Sequence, residues 1–163
     1  MYSSGDSALA VFFGTMMIVG VIFVLIGIAM YVLKSIGVMK LADKRGLENS
    51  WLGWIPIADL YLLGTIVGEM DLFGYKVTNL AMVAPGAAAG YFVLSFIPFI
   101  NFLAMIAFAI FMVVFLYNLY KMYSDQAVLY TILSVIGLAA IFIFLIRDKE
   151  PLNQGNYSPP SQY

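Results

Sequence analysis

Asp59 is the only charged residue between Glu48 and Glu69, and the segment around it, residues 51–68, is otherwise almost wholly apolar. Placing a carboxylate at the middle of a bilayer costs roughly 2.5–3.5 kcal/mol, so such a group normally faces a cavity, a partner or a substrate path. Burial would also favour its protonated form. A second polar group sits in a matching setting. Ile55-Pro56-Ile57-Ala58-Asp59-Leu60 is echoed 42 residues later by Ile97-Pro98-Phe99-Ile100-Asn101-Phe102, and each follows an aromatic residue, Trp54 or Phe96. Proline-interrupted apolar segments in corresponding positions mark binding regions in many transporters. Pro with Asn or Asp also makes an ordinary turn or cap. The candidate intramembrane site is therefore Asp59, Asn101, Pro56 and Pro98. If two halves of the chain pack face to face, Asp59 and Asn101 line one polar cavity. If Asp59 sits in a re-entrant turn at the interface, it is simply solvated.

Other chemistry has few residues to use. Cys and His are absent, which removes disulfides, thiol nucleophiles, thiolate or imidazole metal ligands, and the commonest general acid–base group. The expectation is a protein that is not an enzyme, with no catalytic residues, no metal and no cofactor. Eight Lys/Arg against nine Asp/Glu leave no electrostatic footprint for nucleic acid.

The elements that must carry these residues are membrane helices. The chain is 63% hydrophobic and 10% charged, whereas soluble domains have roughly 45–50% apolar and about 25% charged residues. The hydrophobic segments are about 8–33, 51–68, 79–97, 101–120 and 127–146. The fold expected is an all-α integral membrane protein with four full transmembrane helices plus one short, Pro-kinked or re-entrant segment at 51–68. One domain covers 1–150, and the polar tail 151–163 is expected to be disordered. Residues 34–45 can continue the first helix, with Gly46 as its stop. Residues 69–77 read as a polar loop. The uncharged run 79–120 is twice too long for one crossing and must fold back, best at Pro98–Asn101. Gly20 and Gly27 share a face of the first span, and Gly86 and Gly90 form a GxxxG pair; small residues of this kind let helices approach in lipid. Trp51, Trp54, Tyr117, Tyr120 and Lys121 are the expected interface anchors.

The cation-rich loop 34–50 belongs in the cytoplasm by the positive-inside rule, with the N-terminus outside. Beyond that the count ties. If 51–68 crosses, six cations lie inside and two outside; if it is re-entrant, the numbers are the same. The direct abutment of Arg147 and Lys149 on the last span tips the reading slightly toward five crossings.

The stretch Arg45–Gly68, RGLENSWLGWIPIADLYLLGTIVG, resembles a group of small, uncharacterised multi-spanning membrane proteins of Gram-positive bacteria, part of which is catalogued as a domain of unknown function. These carry a basic residue and Gly, then Trp, then an Ile-Pro-x-x-Asn/Asp-x-Tyr core. LYTILSVIGLAAIFIFLIRDKEP is similar to the same group's C-terminal span, so the likeness covers roughly residues 39–151. It implies the bacterial plasma membrane and brings no activity. Asp59 stands where that group more often has Asn. Two functions are expected from the residues. One is a non-enzymatic membrane protein that self-associates or joins a membrane complex, with the lipid bilayer and a homo-oligomer or complex as partners. The other is an oligomeric channel or small transporter with Asp59 and Asn101 on its path.

Overall fold

The structure is a computed structural model that describes residues 4–152. Helix α1, Ser4–Lys44, runs for 41 residues, about 62 Å at 1.5 Å per residue. It ends as the sequence predicts. Gly46 adopts φ +69°, the Gly46 amide donates to the Asp43 carbonyl (2.9 Å) and the Leu47 amide to the Ala42 carbonyl (3.1 Å). These two bonds satisfy carbonyls left open at a helix end, and only a residue tolerant of positive φ allows them. The two halves of α1 differ. Residues 7–29 are exposed throughout, and burial begins only beyond Ala29.

The chain then turns back along the inner half of α1. A 3₁₀ turn, Ser50–Trp54, lies close against it: a Cβ on Gly53 would stand 3.0 Å from the Met39 amide nitrogen and 3.2 Å from the Ser35 carbonyl oxygen. Helix α2, Ala58–Val67, starts beside Lys34. A short antiparallel hairpin follows, β1 (Met70–Leu72) and β2 (Tyr75–Val77), with Asp71 opposite Lys76. Residues 69–77 are thus paired strands and not a plain polar loop. Phe73 and Gly74 both take positive φ (+55° and +86°), which two-residue hairpin turns require, and the Gly74 amide donates to Asp71 Oδ1 (2.6 Å).

Helices α3, Leu80–Leu94, and α4, Ile100–Tyr123, form an antiparallel pair, with Tyr91 stacked on Phe108 at 5.0 Å. The fold-back falls at Ser95–Phe99, overlapping the expected turn at Pro98 and Phe99 but leaving Asn101 inside α4. Helix α5, Ala127–Leu133, and α6, Ala139–Ile146, are joined by a wide turn, Ser134–Leu138, in which Gly137 has φ +98°. Tyr130 stacks on Phe142 at 4.6 Å and Lys149 lies over the Tyr130 ring at 5.7 Å. A straight helix would hold residues 130 and 149 about 28 Å apart, so the segment reverses on itself.

Three stretches are long and apolar enough to cross a membrane: Ser7–Lys44, Ile100–Tyr123 and Ala127–Ile146, the last interrupted by this reversal. Residues 79–97 supply only the 15-residue α3, about 22 Å, and 51–68 supply only the 10-residue α2.

The helix ends collect at one pole. Arg45 Nε donates to Tyr123 Oη (3.2 Å), Lys44 Nζ meets Glu150 (3.0 Å) and the Asp148 carbonyl (2.7 Å), and the Leu152 amide donates to the Met122 carbonyl (2.7 Å). The first turn of α2 lies beside Lys34. The Gly64–Leu80 contact lies about ten residues from the Tyr91–Phe108 level, near the far end of α4. Helix α2 therefore descends toward the same pole, and its hairpin lies there. The core joins Leu41, Leu62, Leu63 and Ile66 to Leu80, Phe115, Leu119, Tyr120, Ile143 and Ile146.

Candidate functional site

The two Ile-Pro stretches fold alike. Proline lacks an amide hydrogen and clashes with the carbonyl four residues before it, so it kinks or breaks a helix; at Pro56 and Pro98 the helix breaks and restarts. Ile57 has φ +73° and ψ −42°, and Phe99 has φ +66° and ψ −43°. The Ile55 amide donates to the Leu52 carbonyl (2.9 Å) and the Ile97 amide to the Leu94 carbonyl (3.1 Å). The Asp59 amide donates to the Ile55 carbonyl (3.1 Å) and the Asn101 amide to the Ile97 carbonyl (3.0 Å). Positive φ at a β-branched or bulky residue is an outlier, of order 1–3 kcal/mol each, and persists only where surrounding contacts enforce it. The repeat seen in the sequence is therefore a repeated backbone turn.

The side chains of the two turns meet different surroundings. Asp59 is 3% exposed. Its Oδ2 forms an ion pair with Lys34 Nζ from α1, and its place in the first turn of α2 adds the favourable end of the helix dipole. Its Oδ1 is buried with no hydrogen-bond partner, and so is Ser35 Oγ. Beside the pair, Tyr31 Oη donates to the Trp54 carbonyl. The Lys34 side chain remains 34% exposed even though its ammonium reaches the buried acid. The pair is thus lopsided: a sealed acid and a half-open base. A carboxylate with one oxygen held by an ammonium and the other unoccupied can accept a hydrogen bond from a donor that reaches it.

Asn101 lies on the exposed surface at the start of α4, and the structure records no hydrogen bond between it and Asp59. The sequence missed Lys34, which it assigned to a cytoplasmic loop. The signal available was its spacing: Lys34 precedes the loop's next cation by six residues and ends the uncharged run. Pro56 and Pro98 sit in the two turns. Gly20, Gly27, Gly86 and Gly90 have open space where a Cβ would go. Trp51, Trp54 and Lys121 are exposed and Tyr117 half-buried, but Tyr120 is fully buried. Its hydroxyl bonds Ser134 Oγ (2.8 Å) and the Ala139 carbonyl (3.4 Å) across the α5–α6 reversal, so it belongs to the core and not to an interface belt. A hollow of about 510 Å³ opens at the charged pole between Tyr123, Tyr130, Lys149 and Glu150. Residues 153–163, most of the expected tail, lie outside the described residues.

Fold and site together define a helical, apolar chain compatible with membrane insertion, in which one ion pair is set back from the charged pole. No protein-family model, curated protein or solved structure matches the chain. The resemblance to the Gram-positive group therefore stands on the motif alone.

Proposed function

We propose that the chain is a non-enzymatic integral membrane protein of the bacterial plasma membrane that self-associates or assembles with a membrane complex. The observation that supports this best is the bare outer half of α1. Leu9, Phe12, Phe13, Met17, Phe23 and Ile26 are all more than half exposed, and among the described residues burial on this helix begins only in its inner half. Twenty residues suffice for an anchor. Here the anchor stands apart from its own bundle, and the facing end of the α3–α4 pair is bare as well.

In this reading α1 crosses once and α3–α4 crosses and returns. Residues 47–67 and 127–146 dip in from the charged pole and come back. That pole, with its cations, faces the cytoplasm and the N-terminus lies outside. The test is subunit counting by single-molecule photobleaching in nanodiscs across a range of protein-to-lipid ratios. Dimers or larger assemblies are expected; monomers at every ratio refute the reading.

One observation favours a second reading, an oligomeric channel or small transporter: the unoccupied, buried Asp59 Oδ1. Proteoliposome flux that disappears in Asp59→Asn while the fold is retained supports it. Flux indifferent to that substitution removes it.

A further inference from the structure

We propose that the second Ile-Pro turn of one copy docks on the outer half of α1 of a second copy, as the first turn docks on the inner half of α1 within each chain. The inference rests on the self-association reading and gives it an interface.

The template is internal. The first turn meets α1 through Gly53 at Ser35 and Met39, through the Trp54 carbonyl at Tyr31, and through Asp59 at Lys34. The second turn has the same backbone conformation and the same two hydrogen bonds, yet among the described residues Phe96, Pro98 and Phe99 stay exposed. Phe99 is 93% exposed where its counterpart Ile57 is 43% exposed. Asn101 is exposed where Asp59 is buried.

Charge selects the surface. The turn that carries an acid meets the half of α1 that carries a lysine. The turn that carries a neutral amide suits the half without charge, Ala8–Leu33. Height selects it too. Arg45 and Tyr123 pin the ends of α1 and α4 together. Counting 23 residues back from each reaches Ile22 and Ile100, both about 34 Å from that pole. Two copies standing side by side with their charged poles on the same face of the bilayer therefore bring the second turn of each level with the middle of the other's bare α1. The contact occurs twice about one two-fold axis, as a closed dimer requires.

The chain has no cysteine, so introduced thiols report alone. Gly20→Cys, at a position with open space, is placed in one tagged full-length copy and Phe99→Cys in another. The two are co-reconstituted in nanodiscs and treated with a short thiol-to-thiol cross-linker. A mixed-tag dimer is expected for this pair and none for Gly20→Cys with Phe73→Cys, which lies near the charged pole. Asn101→Asp, an exposed substitution that leaves the turn intact, should lower the dimer fraction, and Asn101→Gln should preserve it. Dimers by photobleaching without the 20–99 cross-link overturn this interface and leave self-association standing. Monomers throughout overturn both. A 20–73 cross-link as strong as 20–99 also overturns the interface.

Discussion

Replacing either member of the Lys34–Asp59 pair tests whether the pair is as lopsided as its geometry. Lys34→Met leaves a carboxylate whose side chain is 5% exposed, with neither oxygen partnered. Removing one side of a buried pair typically costs about 3–5 kcal/mol, because the remaining charge is stranded. Asp59→Leu leaves an ammonium that is 34% exposed and able to swing toward water. By the standard of exposed pairs, its loss is worth about 1 kcal/mol or less. The double variant Lys34→Met/Asp59→Leu strands nothing, and buried pairs replaced by apolar residues are often neutral or better. It should fall within about 1 kcal/mol of the unaltered chain, which gives a coupling of about 3–5 kcal/mol between the two sites. Equilibrium unfolding in mixed micelles measures all four proteins, and Trp54, whose carbonyl lies beside the pair, supplies the fluorescence signal. Equal losses from the two single changes, or a larger loss from Asp59→Leu, would refute the buried-acid argument. The double variant also separates structure from transport. A fold kept with flux lost assigns the acid to a path, whereas a fold kept with flux unchanged removes it from one.

Two further changes probe the surrounding frame. A Cβ on Gly64 would overlap the Leu80 carbonyl group and stand 2.9 Å from the Ala81 amide nitrogen. Since both obstacles are backbone, Gly64→Ala should lose about 2 kcal/mol or more and separate α2 from α3, read as a lower melting temperature and faster amide exchange over residues 58–67. Tyr120→Phe removes the hydroxyl that bonds Ser134 Oγ and reaches the Ala139 carbonyl. It strands buried polar groups at about 1–3 kcal/mol and should loosen the reversal, with cross-links between residues 130 and 142 weakening in step; unchanged stability would show that the reversal does not depend on it.

Much of this frame is legible from residue order. Gly46 at the end of α1 and Pro98 at the fold-back are local features, each acting through its own backbone, and each falls where the sequence places it. The Ile-Pro repeat is legible as a pattern. Its physical content, two matching positive-φ residues at Ile57 and Phe99, is not, because neither side chain favours that conformation. The hairpin at residues 70–77 escapes for a similar reason. Its turn is Phe73-Gly74, not a pair that ordinarily supplies two positive φ values, and its strands are three residues each. The reversal inside 127–146 is the largest departure. Hydropathy reads that segment as one span, since Gly137 is tolerated within many membrane helices. The bonds that bend it run from Tyr120, outside the segment. Lys34 and Asp59 meet for the same kind of reason: partnership across α1 and α2 is a tertiary fact.

The positive-inside count ties between the two topologies. In the folded chain Lys40, Lys44, Arg45, Lys121, Arg147 and Lys149 lie at or beside the helix ends that gather at one pole, and Lys76 lies on the hairpin there. Lys34 is the single cation drawn away from that pole, about 16 Å back along α1 from Arg45. Drawing an ammonium inward is unfavourable unless something there receives it. Asp59 receives it, at the first turn of a helix whose dipole further favours the carboxylate. Each charge is tolerable at that depth because of the other. The pair thereby fixes the start of α2 against α1 at Lys34. The second stretch carries no charge, and α4 holds its turn level with Ile22, where α1 is uncharged and exposed.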